Sequence, residues 1–103
     1  VYNMSEWYKM NIEPPKDGFF IYTKSKCKYC VKAKALLPHA RAFLCDEYLA
    51  RARDEFLDFV DTLTDKKPRT FPMVFLNGTY IGGAAETERY LDELNDFVLD
   101  CDF

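Results

Sequence analysis

No apolar run in this chain approaches the roughly 18 residues that a membrane-spanning helix requires. The opening residues, Val1-Tyr2-Asn3-Met4-Ser5-Glu6, lack the basic and apolar regions of a secretory signal. Position 1 is not methionine, so the natural N-terminus is read as altered or missing. Positive charge is not in excess either. Fourteen Lys and Arg against 17 Asp and Glu leave a formal charge of −3, which argues against general affinity for DNA, RNA or anionic membranes. Any basic patch must be local. Internal repeats, low-complexity tracts and linkers are absent, and 103 residues make one domain able to bury a core without staples. The 49% hydrophobic and 30% charged content is that of an ordinary globular protein. Cysteine is sparse: Cys27, Cys30, Cys45 and Cys101. Without secretory features a disulfide framework is not expected, and a Cys-x-x-Cys reads as metal or redox chemistry in a reducing, cytoplasmic setting.

Residues 1–18 read as an N-terminal extension, with a short helix around Ser5–Met10, Trp7 packed on the body, and a break at Glu13-Pro14-Pro15-Lys16-Asp17-Gly18. Phe19-Phe20-Ile21-Tyr22-Thr23 is an aromatic and β-branched run that predicts a strand buried on both faces. Tyr29–Leu37 predicts a helix with Val31, Ala35 and Leu36 on one face and Lys28, Lys32 and Lys34 largely on the other, stopped by Pro38. Ala42-Phe43-Leu44-Cys45 is a weaker strand. Leu49, Ala52, Phe56, Val60 and Leu63 recur at helical spacing. Met73–Ile81 predicts two strands around Asn77-Gly78, the strongest short hairpin signal. Glu86–Leu99 repeats Tyr90, Leu91, Leu94 and Val98 at helical spacing, leaving 100–103 as a tail. The helical crossover makes the first two strands parallel and the hairpin is antiparallel, so a mixed sheet is covered by helices in an α/β three-layer domain.

The stretch "KSKCKYCVKAK" (24–34) places Cys27 where a strand gives way to a helix and Cys30 in the first helical turn. Unpartnered N–H groups and the helix dipole favour a thiolate there, and Lys24, Lys26 and Lys28 act in the same direction. Such surroundings lower a cysteine from about 8.5 to roughly 3.5–7.5. Cys27 is therefore the expected nucleophile, and Cys30 the shielded resolving cysteine. A zinc site would need His39 and Cys45, in the order Cys-x2-Cys-x8-His-x5-Cys, but a helix length separates them from the pair. His39 reads instead as a loop histidine, Cys45 as a small core residue, and Cys101, among carboxylates, as incidental.

Four features in this order resemble the glutaredoxin family of the thioredoxin superfamily. Tyr22-Thr23-Lys24-Ser25-Lys26-Cys27-Lys28-Tyr29-Cys30 is similar to the family's first strand end and Cys-Pro-Tyr-Cys site, and Ala33–Leu37 to the helix that follows. Arg69-Thr70-Phe71-Pro72-Met73 resembles the Thr-Val-Pro loop with its cis proline, and Tyr80-Ile81-Gly82-Gly83 the double glycine after the last strand. The resemblance spans 19–99 and implies a thioredoxin-like three-layer α/β/α fold with a four-stranded mixed sheet. It implies a glutathione-dependent oxidoreductase in which Cys27 and Cys30 are catalytic. Pro72 would lie opposite Cys27, the Phe71 backbone would pair with the cysteinyl part of glutathione, and Thr70 belongs to the same loop. Gly82-Gly83 would allow positive φ and close approach of a ligand. Backbone N–H groups at Gly83, Ala84 and Ala85 would take the γ-glutamyl carboxylate. Lys24 and Arg69 would face the glycyl carboxylate, and Tyr29 would line the groove.

Two departures carry expectations. Lys28 stands where the family usually has proline, adding an N–H and a charge at the helix start. Loss of that proline also occurs in members that hold a [2Fe–2S] cluster between two subunits, which makes cluster carriage the alternative class. Ala84-Ala85 replaces polar or acidic residues, so only backbone contacts to the γ-glutamyl group remain, and Glu86 would repel it if turned inward. Thioredoxin is the nearer rival as an electron donor, but its Trp-Cys-Gly-Pro-Cys pattern is missing, and Lys24, Arg69 and Gly82-Gly83 favour a glutathione groove. The expected partners are glutathione and disulfide or glutathionylated proteins, ribonucleotide reductase among the candidates. No nucleic acid, membrane or metal is expected, and the chain reads as a monomer.

Overall fold

The computed structural model describes residues 12–101. The expected helix around Ser5–Met10, the packing of Trp7 and the reading of the Cys101 thiol lie outside what is described. Strand β1 is Phe19–Thr23, helix α1 Lys28–Leu36, β2 Arg41–Leu44, α2 Asp46–Arg51, α3 Arg53–Leu63, β3 Met73–Leu76, β4 Thr79–Gly82 and α4 Ala84–Cys101. The sheet order is β2-β1-β3-β4. β1 and β2 are parallel across the α1 crossover, with Tyr22 opposite Phe43, and β3 is antiparallel to both β1 and β4. The four-stranded mixed sheet with helices on both sides is the architecture expected. Among the described residues no helix is long and apolar enough to cross a membrane.

Alternation along the central strands builds a core on each face. Phe20 and Tyr22 of β1 and Met73 and Phe75 of β3 point to one side, against Phe56, Phe59 and Val60 of α3. Ile21 and Val74 point to the other, against Ala33 of α1 and Ala84 of α4. Tyr22 meets Phe20, Phe56 and Phe75 edge-on, with centroids 4.8, 5.5 and 5.7 Å apart. Each such ring contributes about 1.5–3 kcal/mol through burial. The Tyr22 hydroxyl donates to the Ile12 carbonyl, and Ile12 is itself 1% exposed within this core. The end of the N-terminal segment therefore helps close the hydrophobic interior.

The hairpin forms as its sequence demands. Asn77 and Gly78 both take positive φ, 53° and 83°, which suits a two-residue turn between twisted strands. Asn77 Oδ1 accepts from Gly18 N–H at 2.7 Å, and Asn77 N–H donates to Gly18 O at 2.9 Å, tying the turn to the start of β1.

Three expectations are corrected. The buried side of α1 is Cys30, Ala33 and Leu37, whereas Val31 is 65% exposed and Ala35 is exposed. Spacings of three and four do select one stripe, but the sheet lies under the stripe that contains the second cysteine. The helical pattern from Leu49 to Leu63 is two helices, broken at Ala52 (φ −150°, ψ 50°). Both pieces keep one apolar side inward, so the period survives the break. Cys45 is not in a strand. Its N–H donates to Thr23 O at 2.8 Å, and it then caps α2, fully buried. The β2 strand before it is a solvent-facing edge in which Phe43 alone is half-buried.

Candidate active site

The β1-to-α1 loop delivers Cys27 to the N-cap of α1, with extended backbone (φ −127°, ψ 104°). Its sulfur accepts the Cys30 N–H at 3.2 Å, which satisfies one of the orphan donors of the helix start. In the structure Cys27 and Cys30 form a disulfide with Cα atoms 5.2 Å apart. Cys27 is half-buried and Cys30 is 1% exposed. One sulfur can be reached from outside and the other only through it. No acidic residue lies in the first turn of α1, so nothing there opposes an anionic sulfur.

Asp46, at the start of α2, accepts the Ser25 N–H at 2.9 Å and pins the loop that carries Lys24 and Cys27. Hydrogen bonding from Ser25 holds the Asp46 carboxyl below the usual carboxylate range. Opposite the cysteines, the Phe71–Pro72 bond is cis, as the resemblance implied, and Phe71 O lies 3.7 Å from Cys27 Sγ.

Two clefts meet beneath this loop. The first, ≈ 370 Å³, is lined by Lys24, Cys27, Tyr29, Arg69, Thr70 and Phe71, together with Lys26, Lys28, Leu49, Arg53 and Leu57. The second, ≈ 440 Å³, shares Tyr29, Thr70 and Phe71 and continues to Pro72, Gly83, Ala84, Ala85, Glu86 and Lys32. Every residue singled out from the sequence as ligand-facing thus lines one continuous groove, with Cys30 behind it. Sequence reasoning missed Arg53 and the two leucines. Leu49, Arg53 and Leu57 recur every fourth position, a stripe that could have marked a shared wall, but Leu49 alone had been assigned, to a core face.

Three details revise the expected chemistry. Arg69 is held bidentately by Asp61, at 2.9 and 2.8 Å, which raises the guanidinium and lowers the carboxyl from their ordinary values. Its charge is shared before any ligand arrives. Positive φ falls at Gly82 (133°) and not at Gly83, and the close neighbour of Gly82 is Glu86, whose Cβ would sit 2.5 Å from an added methyl group. Glu86 turns back to accept the Gly83 N–H at 2.8 Å, half of a capping box, while Thr87 Oγ1 donates to Gly83 O at 2.8 Å. The Gly83 N–H is thus already taken. Those of Ala84 and Ala85 carry no acceptor among the described residues.

The sequence between β1 and β4 matches the glutaredoxin family model over residues 19–81. The chain belongs to the glutaredoxin family. Glutaredoxin-2, mitochondrial, of Homo sapiens is 35% identical over 71 residues, covering 67% of this chain and 42% of that protein, so the chain spans less than half of this relative. Glutaredoxin 1 of Rickettsia conorii is 34% identical over 80 residues, covering 72% of this chain and 76% of that glutaredoxin. The crystal structure of glutaredoxin 1 from Francisella tularensis superposes with a TM-score of 0.61 at 25% identity, over 77% of this chain and 96% of that one.

Within this glutaredoxin chain the other sulfur and imidazole groups stay apart. His39 lies at the far end of α1 beside Gly18 and Phe19, and burial pushes the Cys45 thiol up, away from reactivity. No group of three or more His, Cys, Asp or Glu side chains converges among the described residues, so the zinc set Cys27, Cys30, His39 and Cys45 is not assembled. A [2Fe–2S] cluster takes four thiolate-type ligands. Cys27 is the one accessible sulfur of this site, which is fewer than such a cluster needs.

Proposed function

We propose that this chain is a glutathione-dependent thiol–disulfide oxidoreductase that acts on protein disulfides and glutathione mixed disulfides, a class that includes the ribonucleotide reductase disulfide. The observation that carries this reading is the arrangement of Cys27. It caps α1, opens onto a groove, faces the Phe71 backbone at 3.7 Å and is backed by buried Cys30.

With a glutathionylated protein, the Cys27 thiolate attacks the glutathionyl sulfur. The S–S bond breaks, the protein thiolate leaves and is protonated, and Cys27 carries glutathione as a mixed disulfide. A second glutathione thiolate attacks that glutathionyl sulfur, releasing glutathione disulfide and Cys27 thiolate. With a protein disulfide, Cys27 attacks one sulfur. Cys30 then loses its proton and attacks Cys27 Sγ, leaving the Cys27–Cys30 disulfide and a substrate dithiol. Two glutathiones restore the dithiol. Reduction by glutathione suits a reducing, cytoplasmic compartment.

Each binding residue has a role in this reading. Lys24, with the part of Arg69 that Asp61 leaves, faces the glycyl carboxylate. Phe71, flanked by Thr70 and cis-Pro72, offers backbone to the cysteinyl unit, and Tyr29 covers it. Ala84 and Ala85 present their N–H groups to the γ-glutamyl carboxylate at the start of α4, with Gly83 allowing close approach. Glu86 adds a like charge beside that carboxylate, which weakens the grip on glutathione without blocking the groove.

The test is turnover of a small glutathione mixed disulfide, with glutathione reductase and NADPH regenerating glutathione. We expect activity that survives Cys30→Ser and vanishes in Cys27→Ser. Activity retained by Cys27→Ser would sink the reading.

A further inference from the structure

The cleft beside Cys27 carries more positive charge than glutathione can use. Lys24, Lys26, Lys28, Arg53 and Arg69 line it, and no Asp or Glu does. They are five of the 14 Lys and Arg in a chain whose formal charge is −3, so the concentration runs against the composition. Asp61 offsets Arg69. Lys24, Lys26, Lys28 and Arg53 make no ion pair among the described residues, and all are exposed. Glutathione in the reading above engages Lys24 and Arg69 through one carboxylate, which leaves Lys26, Lys28 and Arg53 without a ligand group.

These three cations come from different places. Lys26 and Lys28 flank the nucleophile on the loop and at the start of α1, while Arg53 opens α3 across the cleft. A polypeptide that presents a disulfide to Cys27 through this cleft meets the three cations that line it. We infer that the protein substrate of this chain carries its disulfide in an exposed acidic segment, with Asp or Glu residues flanking the cysteine that Cys27 attacks. Positive charge on both walls, opposite in sign to such a segment, raises the encounter rate and fixes which segment enters. The inference rests on Cys27 being the dithiol's nucleophile and not on glutathione being the reductant.

The competing explanation is that the cations serve only to keep Cys27 ionised. The two differ in one measurable respect. A thiolate effect changes the rate toward every disulfide by the same factor, whereas docking changes the ratio between substrates. Arg53, on the opposite wall, is the residue for which docking is the stronger account.

The experiment uses the pre-reduced full chain without glutathione, mixed in single turnover with three peptide disulfides alike except that Glu, Gln or Lys flanks the cysteine. Oxidation of the protein is followed by mass. In each reaction Cys27 forms the mixed disulfide, Cys30 closes on Cys27, and the peptide leaves as a dithiol. The expected order is Glu, then Gln, then Lys, with at least about a tenfold spread at low salt. The spread should collapse at 1 M salt, where screening acts over about 3 Å. Arg53→Glu and Lys26→Glu should each cut the Glu-to-Gln ratio several-fold, and together invert it. Equal rates for the Glu and Gln peptides in the wild type would overturn the inference and leave the dithiol chemistry standing. A uniform slowing of all three peptides in the variants would overturn it in favour of the thiolate explanation. Absence of reaction with any peptide would remove the dithiol function and the inference with it.

Discussion

Cys27 and Cys45 occupy the same local position and have opposite chemistry. Each follows a strand of the parallel pair, and each is the N-cap of a helix. Cys27 is half-buried, accepts the Cys30 N–H and is surrounded by lysines. Cys45 is 0% exposed, makes no side-chain cap bond, and is followed by Asp46 and Glu47 in the first turn. Its sulfur faces Phe43 O at 3.7 Å, and burial drives its thiol up. A helix start therefore does not by itself make a nucleophile. Solvent access and the sign of neighbouring charge decide, because desolvation of a thiolate outweighs the modest field of a short helix.

The largest expected effect comes from alkylating the reduced native chain with iodoacetamide at neutral pH. Cys27 should be modified at least about a thousandfold faster than Cys45, since one presents thiolate and the other is both protonated and covered. Peptide mass mapping against time reads this directly, and comparable rates would erase the contrast. Next, Cys45→Ala should cost about 1–2 kcal/mol in urea unfolding through lost packing and leave turnover unchanged. A loss of activity at unaltered stability would give Cys45 a role this comparison denies. Third, Lys28→Glu should shift the pH midpoint of Cys27 alkylation upward, by up to about one unit, because an anion at the helix start disfavours the thiolate. A downward shift would contradict the electrostatic account.

A third helix start, that of α4, sharpens the contrast further. Glu86→Gln keeps a hydrogen-bond acceptor near Gly83 but removes the like charge, so the KM for glutathione should fall a few-fold. An unchanged KM would mean that the γ-glutamyl carboxylate does not bind there. The smallest effect belongs to Asp46. Its folded-state pKa is depressed by the Ser25 hydrogen bonds, so its contribution to stability is present above the unfolded carboxylate value, about 3.9. That contribution is lost as pH falls from there through the folded value. The thermal midpoint of the wild type should drop more steeply below pH ~4 than that of Asp46→Asn, and parallel curves would refute the linkage.

Much of the framework was legible in particular residues. Phe19–Thr23 and the Asn77-Gly78 turn could hardly be read otherwise, because aromatic and β-branched runs fit a pleat and the turn needs two residues tolerant of positive φ. The dithiol was also legible as a local motif, and the cis-Pro72 loop and the double glycine through the family resemblance. The inward stripe of α1 was not. Two stripes were compatible with helical spacing, and the sheet lies under Cys30 and Ala33 instead of Val31 and Ala35. The break at Ala52 was hidden because both halves keep the same period. The carboxylates that reach into the site were equally hidden. Asp46, Asp61 and Glu86 have no motif, and each acts on a backbone group or side chain that only the fold brings near.

What the sequence determined alone is the order of the four strands and of the helical segments between them, the identity of the two sulfurs and the chemical reason for them at a helix start. Those follow from periodicity, turn chemistry and spacing within a few residues. Only the tertiary structure decided which cysteine stays inert, that five cations line one cleft and that four of those five make no ion pair among the described residues. Burial and the gathering of charge depend on residues from separate elements, such as Lys26 and Arg53 or Pro72 and Gly83, and the distance between them is set by the packing of the sheet and its helices.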